Sequence, residues 1–196
     1  MEESLRYKSF DVREKQIKIT DTQITYDDKT IVLNDVLSLR YNTEHIEFDM
    51  FSVGTKYNIN ISTEHDEINI IFKSYFGFSN SYFYKHYVNI VNKIWESAGD
   101  RLIDEAIEQI KQGKTITVGK CVISKEGISF KKQLTEWQDL SYQKNYDRIT
   151  LNNHRNYKIW TNLYYRETPN FDILVCILDW IYKHDGLEEI KNSLPQ

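Results

Sequence analysis

The chain has 196 residues, 40% of them apolar and 14% aromatic, with 2 Pro, 7 Gly and a net charge of −4. That composition excludes a disordered or collagen-like chain, and the length allows one ordinary domain or two small ones. No apolar run approaches the roughly 18 residues needed to cross a bilayer, and the opening Met1-Glu-Glu-Ser-Leu-Arg lacks the basic-then-apolar pattern of a secretion signal, so a cytoplasmic chain is expected.

Residues 1–9 are polar and predict a frayed or lightly docked start. Phe10, Val12, Ile17 and Ile19 predict an early strand over Phe10 to Thr20, with a change of parity near Glu14 that a bulge would explain. After the turn Asp21-Thr22-Gln23, the positions Ile24, Tyr26, Ile31 and Leu33 alternate around Asp27-Asp28-Lys29 and predict a hairpin. Val36, Leu39 and Tyr41 follow, then short strands at Ile46 to Phe48, Tyr57 to Ile61 and Ile68 to Phe72. Alternation with short polar connections makes these an antiparallel meander, because every second side chain faces a common core.

The period then changes. Tyr84, Tyr87, Val88, Val91, Ile94 and Trp95 recur at spacings of three and four, which places one apolar stripe on a helix capped by Asn80 or Ser81 and ended by Gly99. A second helix is predicted from Asp100 to Gln112, ending at Gly113. Strands follow at Thr115 to Ser124, Ile128 to Lys132, Trp137 to Tyr142, Ile149 to Leu151 and Tyr157 to Trp160. After Thr168-Pro169-Asn170 comes a helix carrying Phe171, Leu174, Val175, Leu178, Ile181 and Tyr182, closed by Gly186.

These elements repeat. Ile24, Tyr26, Leu33, Asp35 and Val36 meet Ile128, Phe130, Trp137, Asp139 and Leu140 at a constant offset of 104, and Ile17 and Ile19 meet Cys121 and Ile123. The helix stripes match at an offset of 87, so the second copy is 17 residues shorter between its early strands and its helix. The chain therefore divides into a first domain over 1–98, a connector helix over 99–113 and a second domain over 114–196. The fold class is mainly β with helices, α+β by content: two bent antiparallel sheets or barrels, each closed by a C-terminal helix.

The second copy carries Gly127-Ile128, Trp137-Gln-Asp139-Leu140 and Pro169-Asn170-Phe171, and through these it resembles the bacterial PH-like domains of the pleckstrin-homology superfold. The first copy keeps Asp35 but has Leu33 in place of the Trp and lacks the turn Gly and the Pro-Asn. Its likeness rests on the repeat. The resemblance implies a bacterial, non-enzymatic binding or scaffolding module over most of residues 10–186, with Asn170 or Thr168 capping the last helix and Trp137 filling the core.

Candidate site residues are few. The five His have no ligand spacing, no Gly-rich phosphate loop or nucleophile elbow occurs, and no catalytic residue, metal site or cofactor is expected. Cys121 and Cys176 lie among apolar residues and read as buried free thiols. Residues 16–98 hold seven Lys and Arg against eleven acids, and residues 114–186 eleven against eight, an imbalance too small to point to nucleic acid. Two apolar features point to a protein or peptide partner. One is the ring-bearing loop with Tyr75, Phe76 and Phe78; the other is a second apolar face of the last helix, Ile173, Ile177 and Trp180, to be covered by the tail (Leu187, Ile190, Leu194), the connector, the other copy or a second molecule in a homodimer. A free sheet edge is a further place for a peptide. PH-like domains that bind inositol phosphates carry several cations around the first hairpin, and by that resemblance Lys120, Lys125, Lys131 and Lys132 form the alternative, a phospholipid-headgroup site, although membrane binding is not the expected mode.

Overall fold

A computed structural model of the protein describes residues 3–8 and 14–193. Over the described residues the protein is α+β, with four small antiparallel sheets, none closed into a barrel, and three α-helices. It divides into two compact units, Met1–Asp100 and Arg101–Gln196.

In the first unit, β1 (Glu3–Lys8), β2 (Glu14–Ile19), β3 (Gln23–Tyr26) and β4 (Lys29–Val32) form a four-stranded meander. A 3₁₀ turn at Leu33–Asp35 leads to a second meander of β5 (Ser38–Phe48), β6 (Phe51–Ser62) and β7 (Glu67–Tyr75). The long helix α1 (Asn80–Lys111) follows. Period-two alternation puts Ile17, Ile19, Ile24, Ile31, Ile59, Ile61, Ile68, Ile70 and Phe72 into the core. Tyr87, Ile90, Val91, Ile94 and Ala98 bury the inner face of α1. Tyr84, expected in that stripe, is 56% exposed instead, since the helix begins a turn before the stripe meets the sheet. The strand β1 was not foreseen, and the Phe10 and Val12 part of the early strand lies outside the described residues.

The second unit repeats the order: β8 (Ile116–Val118), β9 (Cys121–Ile123), β10 (Gly127–Phe130) and β11 (Gln133–Glu136), a 3₁₀ turn at Trp137–Asp139, then β12 (Leu140–Lys144), β13 (Arg148–Asn153), β14 (Trp160–Tyr164) and the helix α2 (Phe171–Lys183). A short α3 (Gly186–Asn192) ends the described chain. The offset of 104 holds at the level of single hydrogen bonds. The Leu33 amide donates to the Thr22 carbonyl at 2.8 Å and the Trp137 amide to Glu126 at 3.2 Å; Thr20 donates to Gln23 and Ser124 to Gly127, both at 2.9 Å. Asp27 and Lys131 both stand at left-handed φ, 54° and 52°. Trp137 is buried and its Nε1 donates to the Lys125 carbonyl at 3.0 Å. β14 starts only at Trp160, so Tyr157 lies in the preceding turn and not in a strand.

Helix ends obey a different rule from the one expected at Gly99. A helix closed by glycine needs that glycine in the left-handed region, and Gly99 is not among the glycines found there. α1 runs through it unbroken, so the two predicted helices are one. The stop falls at Gly113, with φ of 77°, where the Gly113 amide reaches the Ile110 carbonyl at 3.0 Å and the Lys114 amide reaches Gln109 at 2.9 Å. Asn170 starts α2 in a left-handed conformation and makes no side-chain cap bond, so its role is a backbone one. At the head of α1, the Asn80 side chain is turned to the sheet and accepts from Tyr57 and Ser74, both at 2.7 Å.

Candidate functional site

The described surface of the first unit has one dense group of exposed rings. β5 and β6 pair from Ser38↔Ser62 out to Phe48↔Phe51, beyond the last β7 pairing at Gly54↔Tyr75. The hairpin they form projects past its sheet. Its turn is Asp49-Met50, both left-handed at φ of 48° and 68°, the conformation that two-residue hairpins need to match strand twist. Phe48 is 74% exposed, Met50 94% and Phe51 73%.

The loop from β7 to α1 lies against the same hairpin, because the Phe76 amide donates to the Val53 carbonyl at 2.7 Å. Left-handed φ at Phe76, Gly77 and Ser79 turns that loop sharply, and leaves Phe76 75% and Phe78 78% exposed. Of the six partner residues expected from the sequence, Tyr75, Phe76 and Phe78 are therefore brought together with three that were missed, Phe48, Met50 and Phe51. An isolated large apolar side chain needs no explanation, but five on adjoining turns do.

The other three expected partner residues are placed differently. Ile173 and Ile177 are buried within the chain and Trp180 is half-buried. In the second unit the Lys111 ammonium stands 5.5 Å from the Trp180 ring and 2.7 Å from Glu189 on α3, while Gly186 lies so close to the ring that a Cβ would come within 2.6 Å of it. Ile190 is buried as expected of the tail; Leu194 lies outside the described residues. Helix face and tail thus cover each other, and Ile173 and Ile177 offer no surface to a partner.

The four lysines do not form one cluster. In an antiparallel meander alternate turns share an end, so Lys120 in the β8–β9 turn and Lys131-Lys132 in the β10–β11 turn lie at one end and Lys125 in the β9–β10 turn at the other. Lys125 is also engaged: its ammonium donates to the Ser193 carbonyl at 2.6 Å and the Ser193 hydroxyl at 3.0 Å. The Lys131 ammonium sits 4.9 Å over the Trp160 ring. Neither cysteine is in a disulfide; Cys121 is buried and Cys176 half-buried, and burial pushes the Cys121 thiol up to about 11, which leaves it a neutral packing group. No helix among the described residues is long and apolar enough to cross a membrane.

Compared with known proteins, the chain matches no family model and no curated protein.

Proposed function

We propose that each unit is a PH-like domain and that the pair acts as a non-enzymatic binding module whose ligand is a protein, held at the β5–β6 hairpin tip of the first unit. The strand order supports the domain reading: four strands, a 3₁₀ turn, three strands and a helix, in that order, twice. One observation carries the functional reading. Phe48, Met50, Phe51, Phe76 and Phe78 are each 73–94% exposed on adjoining turns, and aromatic residues and Met are the side chains enriched in protein interfaces. A phospholipid headgroup at Lys120, Lys131 and Lys132 is the weaker reading, since Lys125 is tied to Ser193 at the opposite end of the sheet.

The test replaces Phe51 with benzoylphenylalanine in the full chain, with irradiation in the cells that produce it. Protein adducts are expected, and they should be lost when Phe48 and Met50 are changed to Ser. No protein adduct, combined with flotation of the chain on vesicles of phosphatidylcholine and phosphatidylserine, would overturn the reading in favour of a lipid surface.

A further inference from the structure

The two halves of the ring cluster meet at a break in the β5–β6 ladder. Ile46 pairs with Gly54 but Glu47 with Ser52, so Val53 is an extra residue with no opposite number on β5. An unbroken ladder from Ile46↔Gly54 would set Phe48 against Ser52 and leave Met50 alone between Asp49 and Phe51, too short a turn for a hairpin. The bulge instead sets Phe48 against Phe51 and leaves the two-residue turn Asp49-Met50. Bulges re-aim side chains in this way at the ends of sheets. The corresponding β12–β13 ladder runs unbroken from Leu140↔Asn153 to Lys144↔Ile149, so among the described residues the bulge, like the extended tip, belongs to the first unit alone.

The same residue holds the loop. β7 has its last pairing at Gly54↔Tyr75, and one step further the Phe76 amide donates to the Val53 carbonyl at 2.7 Å. Beside it Gly54 lies so close to β7 that a Cβ there would overlap the Ser74 carbonyl oxygen. The Ser74 hydroxyl donates at 2.7 Å to Asn80 Oδ1, at the far end of the loop. Between these two anchors the Phe78 amide donates to the Tyr75 carbonyl at 2.9 Å, so Phe76 and Phe78 stand on a loop tied at both ends.

We infer that Val53 and Gly54 are the positioning residues of the candidate surface: they join the Phe48-Phe51 pair and the Phe76–Phe78 loop into one preformed platform. Val53 acts through its carbonyl and its place in the ladder, Gly54 through the side chain it lacks. The inference rests on the reading of the hairpin tip as a protein-binding surface and adds how that surface is set up. Neither residue supplies an exposed ring. Their effect on binding is that of preorganisation, since a partner that meets side chains already held in place loses no binding free energy to ordering them.

Two probes in the full chain test the inference: benzoylphenylalanine at Phe51 on the hairpin and at Phe78 on the loop, each irradiated in the producing cells. With no other change, both should cross-link to the same protein. Gly54→Ala, which forces the end of β7 away from β6, should lower both adduct yields about ten-fold and open the Phe76 amide to hydrogen exchange. Val53→Ala keeps the carbonyl and should change neither. Deletion of Val53 takes out the joint without adding a side chain and should give the same loss as Gly54→Ala, so one misfolded variant leaves the other to decide. Asp179→Asn on α2 weakens the fold away from the tip and should leave both yields unchanged, which separates positioning from a general loss of stability. Far-UV circular dichroism melts of each variant confirm that the fold is kept. Wild-type yields in both Gly54→Ala and the Val53 deletion, or adducts of the two probes to different proteins, overturn the joint and leave the protein-binding reading standing. No adduct from either probe in the otherwise unchanged chain, with flotation on vesicles of phosphatidylcholine and phosphatidylserine, overturns both.

Discussion

Asp179 shows how single charges hold this fold together. It lies on α2, and Lys144 from β12 reaches it at 2.7 Å, Lys183 at 3.0 Å and the Tyr142 hydroxyl at 3.2 Å. Partial burial alone would raise its pKa, but the hydrogen bonds from the two lysines and the tyrosine outweigh that and hold the carboxyl below its ordinary value of 3.8. A depressed carboxylate pKa means that the unfolded chain binds the proton first as pH falls, so its stabilisation is complete above 3.8 and is lost as pH drops below it. Asp179→Asn is therefore expected to cost roughly 1 kcal/mol at neutral pH, a value kept small by solvent screening of this half-exposed cluster. The difference should shrink as pH falls below 3.8, which thermal melts of both proteins across the acid range would measure. The sequence shows only the i,i+4 pairing of Asp179 with Lys183 on α2; Tyr142 and Lys144 come from a strand 37 and 35 residues earlier, which spacing along the helix does not reveal. The same is true of the Tyr182 hydroxyl, which donates to the Trp137 carbonyl at 2.6 Å and is pushed up to about 12 by burial.

At the scale of elements, the long helix illustrates which signals the sequence carries and which it cannot. Gly99 and Gly113 look alike as stop signals, and only one of them stops the helix. The difference is a neighbour: the Trp95 ring lies where a Cβ at residue 99 would be, and its Nε1 is fixed to the Tyr41 hydroxyl at 3.0 Å. Gly99 is there for close packing rather than for a turn. In an exposed helix Gly→Ala gains about 1 kcal/mol, but here the ring cannot move without breaking its bond to Tyr41, and overpacking of this kind costs about 1–3 kcal/mol. Gly99→Ala should therefore destabilise the protein in urea denaturation, and Gly99→Ala combined with Trp95→Leu should recover part of that loss. A net gain from Gly99→Ala would mean that the ring moves aside freely. The hairpin tip was illegible for a related reason. Asp49-Met50 contains no glycine or asparagine, so only the tolerance of Asp for left-handed φ hints at the turn, and alternation shows only in short stretches of β5 and β6, which have 11 and 12 residues.

For the molecule as a whole, the repeat was the most legible feature because it needs no knowledge of side-chain packing. An ungapped offset of 104 fixes the same turn, the same strand pairing and the same 3₁₀ step twice, even where Leu33 stands for Trp137. What the repeat could not convey is where the copies diverge, and divergence is where the candidate surface lies: β12 and β13 have 5 and 6 residues where β5 and β6 have 11 and 12, so the exposed tip belongs to the first copy alone. The sequence placed the extra length correctly and its purpose incompletely, since Tyr75, Phe76 and Phe78 stood out as rings in a loop while Phe48, Met50 and Phe51 were hidden in strand alternation. If two molecules join through that tip, folding and assembly are linked by mass action, and anything that binds the native state raises its thermal midpoint with concentration. The midpoint of the wild-type chain is therefore expected to rise over a hundred-fold increase in protein concentration, whereas that of Phe48→Ser/Phe51→Ser should stay constant. Because the exposed tip is mainly apolar, this rise should persist at about 1 M salt, where a screening length of about 3 Å would remove the concentration dependence of a contact held by charge. Calorimetry at two salt concentrations separates these outcomes, and a wild-type midpoint that is flat in both would leave the tip without a second copy to meet.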